Sequence, residues 1–408
     1  MRKLLTFTAL GTILAAAQVQ AAGFHLREQS AAAQGNAYAG ATAGAENLSY
    51  AYFNAAGITR QKGTQFNVGG TYIAPRARAK NIYVDGERDE NVDNIVHAAI
   101  APNMAVSHQL NEKAYIALGL NVPYGMITKY DEGWLGGEHG VTSKLSGVTV
   151  TPMAAYKVTD KLSLGAGLQI QYLKARLTSA PVPRAVNASV EGKAVDWGWQ
   201  ASSLYEFNDR TRFGLSFRSK VNHKLKGKQK LRYFGTGETV RPDVDIYAHL
   251  NTPAIFSMGF VHEINEKWTV MAEYQRAFWS SFRDLRIKKD DGSESLTKEK
   301  WRDANFYALG ASYQIDNQWK LRLGMAYDQS AVRLKHRTPR IPDSDRLWYS
   351  TGLNYQYNEK LSFDLAYTYI YAHKAHLDSD LTGNGGSHVT ADYTNSIQLF
   401  GFSLNYKF

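Results

Sequence analysis

The side chains best suited to bind a ligand lie in one long connection between predicted strands. The segment 124–145 presents four apolar residues among glycines and acids: Met126, Ile127, Trp134 and Leu135. Apolar side chains exposed in a loop indicate a binding patch for an apolar partner, and the alternative is a small core within the loop itself. No Gly-x-Ser-x-Gly, His-Glu-x-x-His or metal-spaced Cys/His motif occurs in the chain. The sequence therefore predicts binding without catalytic residues, metal or cofactor, and the remaining enzymatic alternative is a lipase whose Ser and His meet across strands.

The first residues are typical of an export signal. Arg2 and Lys3 precede an apolar run at 4–17, and residues 19–21 form a small-residue cleavage site. We expect cleavage after this site, which assigns residues 1–21 to a signal peptide. The chain has 408 residues, no Cys and a formal net charge of +10. After the signal no apolar run approaches the roughly 20 residues of a membrane helix, which leaves a secreted β-protein or a transmembrane barrel.

From residue 64 onward, apolar residues recur at every second position. One run of this kind alternates with Ser, Gly and Gln: Leu162, Leu164, Ala166, Leu168, Ile170 and Tyr172. In a strand this period places one set of side chains on each face. The last strand follows the same rule and ends on Phe408. Pairing of this strand with the first one would close the sheet and leave no edge.

The connections between the predicted strands are alternately short and long. Six short turns share an Asn, Asp or Thr followed by polar residues, at 111–113, 159–161, 208–210, 265–267, 316–318 and 358–360. Seven long stretches lie near 75–94, 124–146, 174–195, 227–243, 284–303, 329–346 and 374–395. This count gives fourteen strands if 243–264 is a single strand interrupted at Pro253. An even number of antiparallel strands with short turns at one end is typical of a bacterial outer-membrane β-barrel.

The segment 22–58 precedes the first strand and has no strand period. Barrels of about eight strands fill their interior with side chains and those of 16–18 strands leave a channel, so fourteen strands leave space for a plug. Small residues in this segment allow close packing, and Tyr38, Tyr50, Tyr52 and Phe53 argue against a disordered tail, the alternative interpretation. We therefore expect an N-terminal hatch at 22–58 inside a barrel formed by 59–408.

Several motifs resemble the FadL/TodX family of outer-membrane transporters for long-chain fatty acids and other hydrophobic compounds. They include the mature start 22–24, the hatch pattern 35–40, Trp197-Gly198-Trp199 and the run Ile341-Pro342-Asp343-x-Asp345-Arg346-x-Trp348. The resemblance covers nearly the whole mature chain. It implies a fourteen-stranded, monomeric barrel with a hatch, in which a hydrophobic ligand enters between outer loops, reaches a pocket against the hatch and leaves sideways near the third strand.

The resemblance also implies roles for particular residues. Phe24 matches the hatch aromatic of the family's inner pocket, and the apolar loop residues 126, 127, 134 and 135 would form the outer groove. The family's Asn-Pro-Ala in the hatch is replaced by Asn54, Ala55 and Ala56, which puts the rigidity of this gate in doubt. The third strand carries Gly119, Asn121, Pro123 and Gly125. Because Pro cannot donate a ladder hydrogen bond, a kink is expected there, and a Pro at a strand end without a gap is the alternative.

The residues that would bind a fatty-acid carboxylate differ from the family pattern. The two positions that carry basic side chains in the family align with Ser179 and Thr297. Neighbouring basic residues are the candidates for the carboxylate, namely Arg176, Arg184, Lys298 and Arg302. Ordinary solvated charges are the alternative interpretation of these four. The departure leaves room for an uncharged ligand such as an aromatic hydrocarbon.

The connection 332–346 is strongly basic, with Arg333, Lys335, His336, Arg337 and Arg340. In an outer-membrane protein such a loop is expected to contact lipopolysaccharide phosphates, and a nucleic-acid partner is not expected. The main rival function is a general diffusion porin, which would have a wide charged lumen and no need of a hatch. An adhesin is a third alternative and would have longer, rigid loops.

Overall fold

The protein is a closed antiparallel β-barrel with a folded N-terminal segment inside it. A computed structural model describes residues 23–182 and 184–408, so the predicted signal peptide lies outside the described residues. The strands are β1 (Thr64–Val84), β2 (Glu87–Arg88), β3 (Ala99–Gln109), β4 (Ala114–Lys129), β5 (Thr142–Lys157), β6 (Leu162–Val182), β7 (Val186–Asn208), β8 (Thr211–Arg218), β9 (Val221–Tyr233), β10 (Thr239–Thr252), β11 (Ile255–Glu263), β12 (Trp268–Ala277), β13 (Asp284–Lys289), β14 (Glu294–Lys298), β15 (Ala304–Gln314), β16 (Trp319–Asp328), β17 (Arg346–Gln356), β18 (Leu361–Ala372), β19 (Ala375–Asp380) and β20 (His388–Lys407).

Fourteen strands make the wall of the barrel, as the alternating connections predicted. The seventh wall strand is β8 continued by β9, and the eighth is β10 continued by β11 across the break at Pro253. The short strands β2, β13, β14 and β19 extend the sheet beyond the wall at the long-loop end. Pairing of β1 with β20, from Gln65↔Lys407 to Val84↔Val389, closes the sheet.

The two faces of the wall differ in polarity. Side chains on the outer face include Leu309, Met325 and Leu365, which are 63%, 58% and 54% exposed. Side chains on the inner face include Asn67, Asp364 and Thr368, which are fully buried. An apolar exterior with a polar interior is the arrangement of a barrel that crosses a lipid bilayer.

The six short turns have a common physical cause. In the turn after β3, the carboxamide oxygen of Asn111 accepts from the backbone N–H groups of Lys113 and Ala114, both at 2.9 Å. Asn265, Asp316 and Asn358 accept in the same way from the two matching N–H groups. A side chain that satisfies its own turn allows two strands to reverse direction within three residues.

The long connections are more regular than the sequence indicated. The stretch 174–195 was expected to be irregular, but β6 continues to Val182 and β7 begins at Val186, so it forms a hairpin. The stretches 227–243, 284–303 and 374–395 likewise contain strand on both sides. In these extensions the outward side chains are polar, such as Lys174 and Arg176, and the apolar ones point inward, such as Leu177. The apolar outer face of the wall therefore does not continue into them. Irregular loops remain at 89–98, 130–141 and 329–345, the last with a short 3-10 helix at Leu334–His336.

The N-terminal segment consists of short helices that contact the wall from inside. They are α1 (Ala31–Gly35), α2 (Ala41–Gly44) and two 3-10 helices at Leu48–Tyr52 and Ala55–Arg60. Together they contact wall strands on all sides of the lumen, from β1 and β3 through β8 and β11 to β20. None of the helices in the described ranges has the length and apolarity needed to cross a membrane.

Glycines on the inner face of the wall make this packing possible. A Cβ added to Gly165 would lie 2.3 Å from the backbone nitrogen of Ala56. A Cβ added to Gly214 would lie 2.0 Å from the carbonyl oxygen of Thr42, and one on Gly324 would lie 2.2 Å from the backbone of Asn36. Real side chains at these positions would push the N-terminal segment out of place.

Buried ion pairs hold the same segment against the opposite wall. Arg322 is fully buried and donates to Asp364 at 2.8 Å and to Glu46 of the N-terminal segment at 2.7 Å. Arg27 of the segment pairs with Asp328 at 3.2 Å. Removing one partner of a buried pair leaves an unpaired buried charge and costs about 3–5 kcal/mol. These pairs therefore specify the position of the segment.

Candidate functional site

Strand β4 leaves its neighbour β3 part of the way up the wall. The two strands pair from Gln109↔Tyr115 to Met104↔Leu120, and among the described residues no ladder pair joins 99–103 of β3 to β4. On the other side, the register between β4 and β5 shifts between Asn121 and Tyr124. The predicted kink residues lie in this stretch: Gly119 is in the regular ladder, Asn121 and Pro123 are at the shift, and Gly125 follows it.

The N-terminal segment takes the place that β3 vacates. The backbone N–H of Leu26 donates to the carbonyl oxygen of Pro123 at 2.8 Å, and the N–H of Gly125 donates to that of Phe24 at 3.0 Å. The Gln29 carboxamide donates to the carbonyl oxygen of Val122 at 2.8 Å and accepts from the Val122 N–H at 3.1 Å. These bonds fix Phe24 in the lumen beside the kink.

Phe24 is the centre of an aromatic cluster. Its ring lies 4.6 Å from that of Trp279, 5.6 Å from Trp301, 6.0 Å from Phe282 and 6.1 Å from Tyr124, measured between centroids. Aromatic pairs at these distances contribute about 0.5–1.5 kcal/mol each beyond the area they bury. The cluster is a close-packed aromatic partition in the lumen.

An apolar cavity of about 70 Å³ lies against this partition. Its walls come from β4, β5, β6, β7, β9, β10 and β13 and from the loop 329–345. The apolar lining consists of Phe24, Met126, Leu145, Ala175, Leu177, Val190, Leu225, Ile246, Ala248, Leu250, Phe282, Leu285, Ile287 and Ile341. A concave apolar lining with few polar groups is usual for a small-molecule site, and this cavity is smaller than the roughly 300–1,000 Å³ of such sites.

Three ionisable residues line the same cavity. Lys144 is exposed on β5, and the other two lie in loops outside the strands. Arg340 is half-buried, and its Nη1 donates to the Ser143 hydroxyl oxygen at 3.1 Å. Burial lowers the pKa of Arg340 to about 10, and the charge of Glu299 opposes that change. Glu299 is 8% exposed and accepts from the Trp301 indole N–H at 3.0 Å. Burial raises the pKa of Glu299 to about 7 because the desolvated carboxylate is disfavoured.

None of the four basic residues predicted for the carboxylate lines this cavity. Arg176 lies between Ala175 and Leu177, whose side chains face inward, so the pleat turns Arg176 to the outer surface. Lys298 is exposed at the end of β14. Arg184 is exposed and donates to the Gly133 carbonyl oxygen at 3.1 Å. Arg302 donates to the Ser330 carbonyl oxygen at 3.0 Å on the outer loops.

The four apolar residues predicted for an outer groove are not brought together. Met126 is buried and lines the inner cavity. Trp134 is buried and stacks on Tyr130 with ring centroids 4.4 Å apart. Leu135 packs against the same outer cluster, and Ile127 is half-buried on β4. The Trp134 side of the loop therefore has the character of a small core, which was the alternative interpretation.

The predicted gate at residues 54–56 is firmly packed. Asn54 caps the following 3-10 helix by accepting from the Ala56 N–H at 2.9 Å. The Asn54 carboxamide also donates to the carbonyl oxygens of Thr42 and Ser203, at 2.6 and 2.9 Å. Ala55 and Ala56 are buried against the wall. In this chain the Asn54 cap orders the turn at which the Asn-Pro-Ala pattern would place a Pro.

Sequence reasoning missed Arg340, Glu299 and the aromatic partners Trp279, Phe282 and Trp301. Arg340 had been placed with the lipopolysaccharide-facing charges of its loop. The feature of the sequence that could have indicated Arg340 is its position. Arg340 directly precedes the motif that starts at Ile341, and Ile341 also lines the cavity. The inward turn of the loop depends on contacts between distant segments, such as the Tyr130 hydroxyl donating to the Pro339 carbonyl oxygen at 3.0 Å.

Known proteins resemble this chain over almost its whole length. The family model for outer membrane protein transport proteins (OMPP1/FadL/TodX) matches residues 12–408. The chain is 30% identical over 453 residues to outer membrane protein P1 of Haemophilus influenzae, with 98% of each chain covered. It is 28% identical over 455 residues to a long-chain fatty acid transport protein of Escherichia coli O6:H1, with 100% of this chain and 99% of that one covered.

The solved structure of a Pseudomonas aeruginosa FadL homologue has the same architecture. It superposes with a TM-score of 0.87 at 25% sequence identity and covers 94% of this chain and 99% of that one. The similarity therefore includes the N-terminal segment together with the barrel.

A substitution at Gly23 tests how tightly the aromatic cluster is built. Gly23 has φ +69°, and a Cβ there would lie 2.3 Å from the Trp301 ring. Gly63 has the same φ of +69° with nothing within 4 Å, which makes Gly63→Ala the matched control. Both variants carry the left-handed backbone cost of about 1–2 kcal/mol. Gly23→Ala should lose about 1–3 kcal/mol more of the free energy of unfolding, measured in urea by tryptophan fluorescence. Equal losses would contradict the close packing of Trp301 on the segment.

Proposed function

Because this chain belongs to the OMPP1/FadL/TodX family of outer-membrane transport proteins, we propose that it takes up long-chain fatty acids by diffusion through a hatch-gated barrel. The observation that carries the proposal is the apolar cavity on Phe24 with Arg340 among its lining residues. A wall of aliphatic and aromatic side chains suits an acyl chain, which gains free energy by leaving water. Arg340 is placed to bind the carboxylate.

The chemistry of Arg340 suits this role. Its guanidinium has five N–H donors, and Nη1 is held by the Ser143 hydroxyl and the Thr142 carbonyl oxygen. The remaining donors are available for a carboxylate, and a charge-assisted hydrogen bond of this type is about twice as strong as a neutral one. Neutral Glu299 would sit beside the carboxylate without repelling it.

The proposed route leaves the barrel through the wall. From the cavity, the ligand passes beside Phe24 to the stretch above Leu120, where β3 and β4 are not joined by ladder pairs. Movement of residues 24–29 away from 122–125 would widen this opening. A sideways exit keeps the hydrophobic ligand out of water and delivers it to the membrane, whereas a polar pore would be costly to cross.

The second candidate function is uptake of an uncharged hydrophobic compound such as an aromatic hydrocarbon. The observation that favours it is the Phe24 cluster, whose rings would stack on an aromatic ligand without a charged partner. The general diffusion porin is disfavoured because the N-terminal segment lies inside the lumen and contacts wall strands on several sides. We further propose that residues 1–21 are removed as a signal peptide, that 22–58 act as the hatch of the barrel 59–408, and that the protein works as a monomer.

Arg340→Gln should separate the two ligand classes. Oleate binding to the purified protein should weaken at least about tenfold, since a hydrogen bond to a charged group contributes roughly 1.5–3 kcal/mol. Toluene binding should not change. Arg333→Gln is the matched control, because Arg333 is exposed on the same loop and does not line the cavity. Titration calorimetry gives both affinities, and unchanged oleate binding in Arg340→Gln would contradict the fatty-acid assignment.

The pH dependence of oleate binding tests the role of Glu299. The pKa of Glu299 is raised to about 7, so its carboxyl is neutral below that pH and ionised above it. Oleate should therefore bind severalfold more weakly at about pH 8 than at about pH 6, because ionised Glu299 repels the ligand and competes for Arg340. Glu299→Gln should remove this difference, and Glu238→Gln, an exposed control, should keep it. A pH profile that is identical in the wild type and Glu299→Gln would refute the effect.

A further inference from the structure

A row of lysines crosses the outer face of the wall behind the cavity. The strand register places Lys174 of β6 opposite Lys193 of β7, Lys193 opposite Lys226 of β9, and Lys226 opposite Tyr247 of β10. Tyr247 in turn pairs with Lys288 of β13. We call Lys174, Lys193, Lys226 and Lys288 the lysine row.

The lysine row faces away from the lumen. The residues beside its members along the strands line the cavity from inside, namely Ala175, Gly192, Leu225 and Ile287. Because successive residues of a strand point to opposite faces, the four lysines point outward. All four are exposed.

Below Lys174 and Lys193, toward the short-turn end, the outer face becomes apolar. The next ladder row places Val148, Tyr172 and Val195 side by side. Ile170 and Trp197 follow two residues further along and are 40% and 69% exposed. Exposed apolar side chains at this density on a barrel wall face lipid acyl chains. Lys174 and Lys193 therefore lie at the outer-leaflet edge of the lipid-facing belt, where headgroups are found, and the basic surface continues from them across Lys226 and Lys288. Below Lys226 and Lys288 the next ladder row is exposed and basic instead, with Lys224, His249 and Arg286.

The charges of this row are poorly compensated within the protein. Lys174 pairs with Glu191 at 2.6 Å. Among the described residues no ion pair involves Lys193, Lys226 or Lys288, although carboxylates further up the wall pair with Lys228 and Lys230. Like charges directly opposite on neighbouring strands destabilise a sheet. An anion held between them would remove that cost.

We propose that the lysine row binds the phosphates of a phosphorylated glycolipid of the outer leaflet, the lipid A part of lipopolysaccharide. Its acyl chains would lie along Val195, Ile170 and Trp197, and its phosphates would lie among Lys193, Lys226 and Lys288. The site is independent of the transported ligand, because it is on the opposite face of the same strands.

The basic loop 332–346, which the sequence suggested for this partner, is less suitable. Arg337 turns inward and donates to the carbonyl oxygens of Asp343 and His376. Arg340 lines the inner cavity. The exposed cations that remain, Arg333 and Lys335, do not border a lipid-facing apolar surface on a wall strand.

The test compares two triple variants of the full-length protein. One replaces Lys193, Lys226 and Lys288 with Gln, and the control replaces Lys113, Lys267 and Lys360 of the short turns, which are exposed at the opposite rim. Binding of bis-phosphorylated lipid A is measured by native mass spectrometry in a lipid-exchangeable detergent. The row variant should bind at least about tenfold more weakly, as expected when several cations near a lipid headgroup are lost. The short-turn variant should bind like the wild type.

Further arms identify the chemistry of the ligand. A variant with Arg in place of the three lysines should retain binding of lipid A. Lipid A without phosphates should bind weakly to the wild type, with the same affinity as intact lipid A for the Gln variant of the row. Equal binding of intact lipid A to both Gln variants would overturn the proposal. Displacement of lipid A by inorganic phosphate at equal concentration would also overturn the proposal, because it would indicate a simple anion site.

Discussion

A strand that leaves its neighbour in a membrane barrel must find new partners for its backbone. In this protein β4 parts from β3 after Leu120, and the exposed backbone at 122–125 is satisfied by residues 24–29 of the N-terminal segment. Unpaired backbone groups are costly away from water, so this exchange ties the segment and the kink together. The position of Phe24, and with it the floor of the cavity, follows from these few hydrogen bonds.

The rest of the lumen is arranged to hold the segment in place. Ion pairs such as Arg322 with Glu46 and Asp364 hold its distant half, and Gly165 and Gly214 let its backbone touch the wall. The half near β4 is held by hydrogen bonds, by aromatic contacts and by the buried pair of Arg27 with Asp328. Buried ion pairs therefore hold the segment on both sides of its first helix.

Much of the fold was predictable because its causes are local. A turn that begins with Asn or Asp satisfies its own backbone, and alternating apolar residues define the outer face. The number of strands could therefore be counted from the six short turns and the long connections between them, with 243–264 taken as one interrupted strand. The site was less predictable because inward and outward positions differ by one residue. Arg176 and Ala175 illustrate this, since the shift of a single position separates an exposed charge from a cavity wall. The inward course of Arg340 depends on tertiary contacts that leave no local pattern.

We infer that the N-terminal segment closes a lumen that is otherwise polar and open. Electrical conductance in planar bilayers tests it most directly, with the wild type compared to a variant that lacks residues 23–58 after the signal. The polar inner face, including Asn67, Asp364 and Thr368, would then be free to fill with water and ions. We expect a nearly silent wild type and a variant that conducts ions in steady steps. Equal conductance of the two proteins would contradict it.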